Sequence, residues 1–317
     1  MKNLALHQWY VVVNPVSGTN RGSLDWPQIR SLLESHLIDF DFAFTQRKYH
    51  AVELTVSAIR KGYRRIICVG GDGTHNEIVN GIFFQDVVPT TDITLGYIGV
   101  GTGNDWARTY MLPTDYYECV KAIKGCKTFI QDVGRIDFVE SRLPQQRYIA
   151  NMAGIGFGAE VASTVNRFKE KGLKGKSLYL FSILKTLFTF KPSTANVRFD
   201  GLNYEGNVFN MVLGIGKYNG GGVMQAPKAD PSDGLFDITF IKKVSRFSLL
   251  TNISKLYNGN ILKHPQVLRY QSAEVQVSSP SNLTIEVDGE SLGSSPFTFS
   301  VVPQSVRVIV GNEFSRN

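Results

Sequence analysis

The sequence predicts two domains: an α/β domain with a parallel sheet, then an antiparallel β-sandwich domain carrying helices. Three observations predict it. Apolar runs and helical patterns alternate strictly through about the first 125 residues. Beyond about residue 127, short segments of alternating apolar and polar character follow one another. A chain of 317 residues suits two domains at roughly 150 residues each. The expected division is 1–127 and 128–303, with 304–317 free to return to the first domain.

Taken in order, Trp9–Val13 reads as a strand ending at Asn14-Pro15, and Ile29, Leu32, Leu33 and Leu37 mark a helix. Phe40–Thr45 is a second strand and Ala51–Lys61 a helix. Arg65–Val69 runs into Gly70-Gly71-Asp72-Gly73-Thr74, then a helix over Asn76–Phe84 and a strand over Ile93–Gly99. Ligands of such sheets bind at the carboxyl ends of the strands. In the second half, strands are expected at Phe129–Phe138, Arg147–Ala153, Ala195–Phe199, Val208–Ile215, Phe236–Ile241, Val267–Val277, Leu283–Val287 and Phe297–Val301. Helices are expected near Glu160–Lys169, Ser177–Phe190 and Phe247–Tyr257, and Val306–Val310 belongs to either domain.

Composition narrows the function. The 43% hydrophobic content excludes wholesale disorder. A net charge of +7 suits anionic partners such as phosphates or a membrane surface. Nucleic acid is set aside, because no basic-aromatic motif accompanies the charge. Cys68, Cys119 and Cys126 form no C-x-x-C, which disfavours a disulfide scaffold and points to a reducing compartment. The most apolar stretch, Ser177–Phe190, has 14 residues with Lys185 inside it, short of the ~20 a span needs. A cytoplasmic protein is expected, with peripheral contact at the inner membrane face left open.

Three glycine-bearing loops end strands. Gly70–Thr74 can bring backbone N–H groups close to a phosphate at a helix start. Asp72 would repel that phosphate unless Mg²⁺ lay between them. Asn14-Pro15-Val16-Ser17-Gly18 is a second loop of this type, equally readable as a turn. Gly99-Val100-Gly101-Thr102-Gly103-Asn104-Asp105 is a third, with Asp105 suited to a metal or an arginine. On neighbouring strand ends the three would converge on one site. Gly154–Ala159 fits G-x-G-x-x-A without the following βαβ unit, so a dinucleotide fingerprint is rejected there.

The ordered set Asn14-Pro15-x-Ser17-Gly18, Gly70-Gly71-Asp72-Gly73-Thr74-x-Asn76-Glu77 and Gly101-Thr102-x-Asn104-Asp105-x-Ala107-Arg108 resembles the diacylglycerol kinase catalytic-domain family, nearest its soluble bacterial lipid kinases. The resemblance implies an NAD-kinase/diacylglycerol-kinase-like first domain that binds ATP and Mg²⁺. Asn14–Gly18, Thr45, Gly71, Asp72, Gly73, Thr74, His75, Asn76, Glu77 and Thr102 would hold the nucleotide, with Arg108 near the phosphates. Asp132 would join Asp72 and Asp105 in a water-linked acidic network around Mg²⁺, although alone it reads as a strand-end turn. Thr19 stands where relatives often carry lysine, with Arg21 close by.

For the second domain the resemblance implies a structural Mg²⁺ held by the Asp233 side chain and the carbonyls of Asp230 and Leu235. It also places a general base at Asp288 or Glu290. On physics alone Asp288-Gly289 is a hairpin turn. The two carboxylates share a face if the strand continues and diverge if it turns. The basic lead-in Arg167, Lys169, Lys171, Lys174, Lys176 and the apolar helix behind it read as a core helix with a solvated approach, or as a rim that meets anionic lipid. The expected activity is transfer of the ATP γ-phosphate to a lipid hydroxyl, with diacylglycerol first. A sphingoid base, phosphatidylglycerol or NAD as acceptor, or a nucleotide-binding regulator without turnover, are the alternatives. A homodimer is an open arrangement.

Overall fold

The computed structural model describes residues 7–101, 103–141, 143–170, 173, 177–280 and 283–315. The chain divides into two compact units, Met1–Asp132 with Pro303–Asn317, and Val133–Val302.

The first unit runs β1 (Trp9–Val13), α1 (Ser17–Ser35), β2 (Phe40–Phe44), α2 (His50–Arg60), β3 (Arg65–Gly70), α3 (Asp72–Phe84), β4 (Thr94–Gly99), α4 (Asp105–Thr109) and α5 (Tyr116–Gly125). Its strands lie parallel in the order β2-β1-β3-β4. β1 and β3 are almost wholly apolar because helices cover both faces of the sheet. β2 is the edge strand, and Phe42 stays partly exposed while packing 4.9 Å from the Trp26 ring of α1. The order reverses between β1 and β3, so the loops after these strands flank the switch point where such sheets bind ligands.

Three local expectations need correction. α3 begins at Asp72 rather than Asn76, which puts Asp72, Gly73 and Thr74 in its first turn. α1 stops at Ser35, and Leu37 lies beyond it with φ +54°. α4 and α5 were not foreseen. α4 has five residues, too few to show a period. α5 carried a legible start signal: Asp115 caps it by accepting the Glu118 N–H at 3.1 Å, in the spacing of a capping box.

Onward from there the chain forms β5 (Thr128–Glu140), β6 (Leu143–Ile149), β7 (Met152–Gly156), α6 (Phe157–Glu170), α7 (Ser177–Thr189), β8 (Ser193–Phe199), β9 (Leu202–Val208), β10 (Asn210–Gly214), β11 (Tyr218–Asn219), β12 (Val223–Met224), β13 (Phe236–Ile241), α8 (Arg246–Thr251), α9 (Ile253–Tyr257), β14 (Val267–Ser272), β15 (Glu274–Ser278), β16 (Ile285–Val287), β17 (Glu290–Ser291) and β18 (Ser294–Ile309). One antiparallel layer of the second unit is β14-β13-β10-β7-β16-β17. The other holds β15 between β18 and β8, with β9 beyond and the β5–β6 hairpin beside β18. Ile136, Ile155, Met211, Phe236, Val275 and Phe299 fill the space between the layers. This is the antiparallel sandwich the alternating segments predict.

Segments Arg147–Ala153, Val208–Ile215 and Val267–Val277, each expected as one strand, are divided between two: β6 and β7, β9 and β10, β14 and β15. In every case the chain leaves one layer and enters the other. Only Phe209 separates β9 from β10, and only Ala273 separates β14 from β15. A corner made by a strand changing sheets needs no turn residue, so no composition signal marks it. Phe247–Tyr257, expected as one helix, is α8 and α9 meeting at Asn252. The opposite happens at the C-terminus, where Phe297–Val301 and Val306–Val310 lie largely on the single strand β18. Its first part pairs antiparallel with β15 and its last part parallel with β4, at Arg307 with Thr94 and Val308 with Leu95.

Candidate functional site

The loops after β1, β3 and β4 meet. The side-chain amide of Asn14 donates to Thr74 Oγ1 at 2.8 Å, and Asn14 Oδ1 accepts the Val16 N–H at 3.2 Å. Pro15 accepts the Ser23 N–H through its carbonyl, and Ser17 donates its N–H to the Asn14 carbonyl. Gly18 has φ +60°, and a Cβ there would sit 1.9 Å from the Val100 carbonyl oxygen. Only glycine permits that approach between the first and third loops. Thr19 and Asn20 follow with φ +67° each, so three left-handed residues interrupt α1 near its start. α3 opens at Gly71 with no side-chain cap, which leaves its first N–H groups for a ligand.

Asp72 and Asp105 form an acidic pair. Asp72 Oδ1 accepts the Trp106 N–H at 3.2 Å. A Cβ at Gly103 would lie 2.9 Å from Asp72 Oδ2 and 3.5 Å from Asp105 Oδ2, so the missing side chain leaves space beside both oxygens. Burial, and then the Asp105 charge, push the Asp72 carboxyl up to about 6, against hydrogen bonds from the N–H groups of Trp106, Asp105 and Asn104. Arg108 Nε stands 3.5 Å from Asp105 Oδ1, and the Arg108 side chain is half exposed. Two crowded carboxylates beside open space fit a divalent cation.

The other expected nucleotide residues are placed as follows. Thr45 follows β2 and donates its N–H to the Val13 carbonyl at 2.8 Å. Glu77 accepts the N–H groups of Tyr49 and Ala51, at 2.9 and 3.1 Å, and so closes the start of α2. Asn76 is buried and accepts from the Asn80 amide. His75 is buried with its ring 4.0 Å from that of Trp106, and burial lowers its pKa to about 3. Thr102 lies outside the described residues. Asp132 is fully buried, and its Oδ1 accepts the Gln304 N–H at 2.6 Å. Among the described residues no three His, Cys, Asp or Glu side chains group as a metal shell.

Sequence reasoning missed Trp106, whose indole N–H reaches Gln131 Oε1 at 3.0 Å while its backbone N–H holds Asp72. It touches both Asp72 and the residue before Asp132. No spacing rule marks such a residue.

In the second unit β16 and β17 form a hairpin through Asp288 and Gly289, at φ +47° and +91°. The turn reading therefore holds, and the two candidate carboxylates diverge. Asp288 accepts three backbone N–H groups, from Ala150 at 2.7 Å, Asn151 at 3.1 Å and Met152 at 2.9 Å. Glu290 is partly exposed and pairs with Arg147 at 3.3 Å. A third acid, Glu286, was not anticipated. It is 2% exposed, accepts the Gly289 N–H, and lies 3.4 Å from the Asn219 amide. It occupies the face of β16 that alternation marks as polar, and α6 packs against that strand.

The loop before β13 closes on itself. Asp230 Oδ1 accepts the Ser232 N–H and hydroxyl, and Asp233 accepts from the Leu235 N–H at 2.9 Å and Gln271 at 3.1 Å. Burial, and less strongly the Asp230 charge, raise the Asp233 carboxyl above its ordinary range. The donor set of hard oxygens fits Mg²⁺.

An open apolar pocket with a cavity volume of about 90 Å³ lies in the same unit. Phe157, Val161, Ile183, Phe209, Ile241 and Leu249 are among its walls. α6 links this pocket to the acidic turn: Phe157 and Val161 line it, and Asn166 donates to the Gly289 carbonyl at 2.8 Å.

Comparison with known proteins finds two family matches along the chain. Residues 8–136 match the diacylglycerol kinase catalytic domain, and residues 151–310 match the YegS C-terminal NAD kinase beta sandwich-like domain. A diacylglycerol kinase of Staphylococcus carnosus is 27% identical, over 94% of this chain and 93% of its own. A diacylglycerol kinase of Staphylococcus haemolyticus is 28% identical, over 94% of this chain and 86% of its own. Among solved structures, a diacylglycerol kinase of Bacillus anthracis superposes with TM-score 0.70 at 20% identity, over 96% of this chain and 97% of that one. Yeast NADH kinase superposes with TM-score 0.53 at 10% identity, over 99% of this chain and 85% of that one.

Proposed function

The chain belongs to the diacylglycerol-kinase-like lipid kinases with a YegS-type C-terminal domain, phosphotransferases acting on a hydroxyl, and from this premise we propose that it transfers the γ-phosphate of ATP to the hydroxyl of diacylglycerol. The observation that carries the lipid acceptor is the open apolar pocket of the second unit. A nucleotide acceptor would want polar and charged walls.

The nucleotide belongs to the first unit. The N–H groups at the start of α3 and the loops tied by Asn14 and Gly18 are its phosphate cradle. Mg²⁺ would be held by Asp72 and Asp105, where it would neutralise phosphate charge. Asp132 fixes the Gln304 backbone and would meet this Mg²⁺ through water. The loop carrying Asp230, Asp233 and Leu235 is the second Mg²⁺ site.

Glu290 is the general base. A base must offer a lone pair to the acceptor hydroxyl. Three backbone N–H groups hold Asp288 in the turn, whereas Glu290 is partly exposed and paired with Arg147.

The acceptor is taken from a membrane surface. Leu180, Phe181, Leu184 and Phe188 are exposed along one side of α7, while Ile183 and Leu187 on its other side are buried. Exposed Phe247 on α8 adds to them. Lys185, Lys191, Lys243 and Arg246 are exposed on or beside the same two helices. Apolar groups rimmed by cations suit an anionic leaflet. Lys171, Lys174 and Lys176 of the lead-in lie outside the described residues. Among the described residues no helix is long and apolar enough to cross a membrane.

A panel of diacylglycerol, sphingosine, phosphatidylglycerol and NAD in mixed micelles with Mg·ATP tests the reading. Labelling of diacylglycerol well above the others is expected. Labelling of NAD alone would overturn it.

A further inference from the structure

The lipid pocket contains a serine–histidine pair that the phosphoryl-transfer groups leave unexplained. Ser248 on α8 and His264, just past the 3-10 turn Asn260–Lys263, both line it. Ser248 Oγ lies 2.8 Å from His264 Nε2, and His264 Nδ1 accepts the Gln266 N–H at 3.2 Å. An Nδ1 that accepts carries no proton, so the neutral ring is protonated on Nε2. Nε2–H therefore donates to the serine oxygen. This is the reverse of a nucleophilic pair, in which the ring would take the serine proton. In this arrangement the ring is no base for the serine, and the serine hydroxyl proton is left to donate elsewhere.

Three other polar side chains around the pocket are engaged. Thr239 Oγ1 donates to the Gln225 carbonyl, Asn210 Oδ1 accepts the Gly158 N–H, and the Asn252 amide donates to the carbonyl of Ser248 itself. A hydroxyl aimed into an apolar pocket demands an acceptor, and a ligand oxygen there replaces water with little loss. The chain of an ester-linked lipid brings one such oxygen, its carbonyl. An ether-linked chain brings a much poorer acceptor, and a sphingoid chain brings none at that place.

We propose that Ser248, positioned by His264, donates a hydrogen bond to the ester carbonyl of an acyl chain in this pocket and so selects ester-linked glycerolipids over their ether analogues. This rests on the reading that the pocket holds the lipid acceptor. Ser248 is the specificity-determining residue, and His264 is a positioning residue.

The test is binding without turnover. Dioctanoylglycerol and the dioctyl ether of glycerol would compete for a fluorescent fatty-acyl probe on the purified full-length protein. The wild type is expected to bind the ester about 3- to 10-fold more tightly, the worth of one hydrogen bond. Ser248→Ala should bring the ester to the level of the ether and leave the ether unchanged, while Ser248→Thr keeps the preference. His264→Leu should lose it, and His264→Gln, whose amide can donate from the Nε2 position, should restore most of it. Equal affinities in the wild type, failure of both compounds to displace the probe, or an undiminished preference in Ser248→Ala would each overturn the proposal. A protein that prefers the ester in binding yet phosphorylates neither compound would retain this inference and lose the kinase reading.

Discussion

Asn14 donates its side-chain amide to Thr74 Oγ1 across 60 residues of sequence, at 2.8 Å. The bond joins the two loops at the point where the strand order reverses. Asn14→Ala breaks it and the internal bond to Val16. We expect KM for ATP to rise about tenfold or more with kcat less affected, since loop geometry binds the nucleotide before the reaction. Steady-state kinetics at saturating lipid would read this. An unchanged KM would mean that the two loops do not hold the phosphates together.

Asp72 should cost stability at neutral pH. Its carboxyl is pushed up to about 6 from 3.8, so the native state holds more protons in that window. Stability therefore falls as pH rises from about 4 to about 6, by ~3 kcal/mol in the absence of metal, and stays low above it. Asp72→Asn keeps an oxygen for the Trp106 N–H and removes the penalty. Denaturant titrations of the metal-free proteins should find the variant more stable at pH 7 and the two similar near pH 4. His75 titrates in the opposite direction but is present in both. The variant should be inactive, and Mg²⁺ should raise its Tm less than that of the wild type, because the variant keeps only the second site. Identical pH profiles would remove the charge from this account.

Asp288 and Glu290 should separate cleanly. Asp288→Ala strands three backbone N–H groups, at a cost of about 3 kcal/mol or more. Glu290→Gln keeps an acceptor for Arg147 but removes the charge of a mostly buried pair, and should cost less, about 1–2 kcal/mol. Its kcat should nevertheless drop about 100-fold or more. Paired melts and kinetics would decide. Full activity in Glu290→Gln would move the base to another residue.

Membrane contact is testable without touching the pocket walls. Phe181→Asp and Phe188→Asp replace exposed side chains of α7. Each should weaken sedimentation with anionic vesicles about tenfold or more, because a Phe that enters lipid contributes about 2 kcal/mol. Turnover of a short-chain monomeric substrate should hold. Unchanged vesicle binding would make this side of α7 an ordinary surface.

Much of this molecule was legible in its sequence, and the illegible parts have physical causes. The alternation of strands and helices gave the first unit, and the three loops were readable because glycines, Asn and Asp mark the tight turns at their strand ends. The α3 boundary was misplaced because Gly73 looks like loop when it is helix. The corners at Phe209 and Ala273 carry no turn signal, since a strand can bend between layers without one. Trp106, Glu286 and the Ser248–His264 pair were invisible for a different reason: their partners lie far along the chain or on another element. Glu286 shows the limit of alternation, which separates the two faces of a strand but does not say that a helix covers the polar one.

β18 has a consequence for how the protein is made. The parallel sheet of the first unit gains its strand beside β4 from residues 307 and 308, synthesised after the whole second unit. A nascent first unit would leave the ribosome with β4 as an open edge, so it would wait for the chain end or need shielding until then. The nucleotide-binding half is thus begun first and finished last. A chain ended near residue 300 would carry most strands of the sandwich and a first-unit sheet still open at β4.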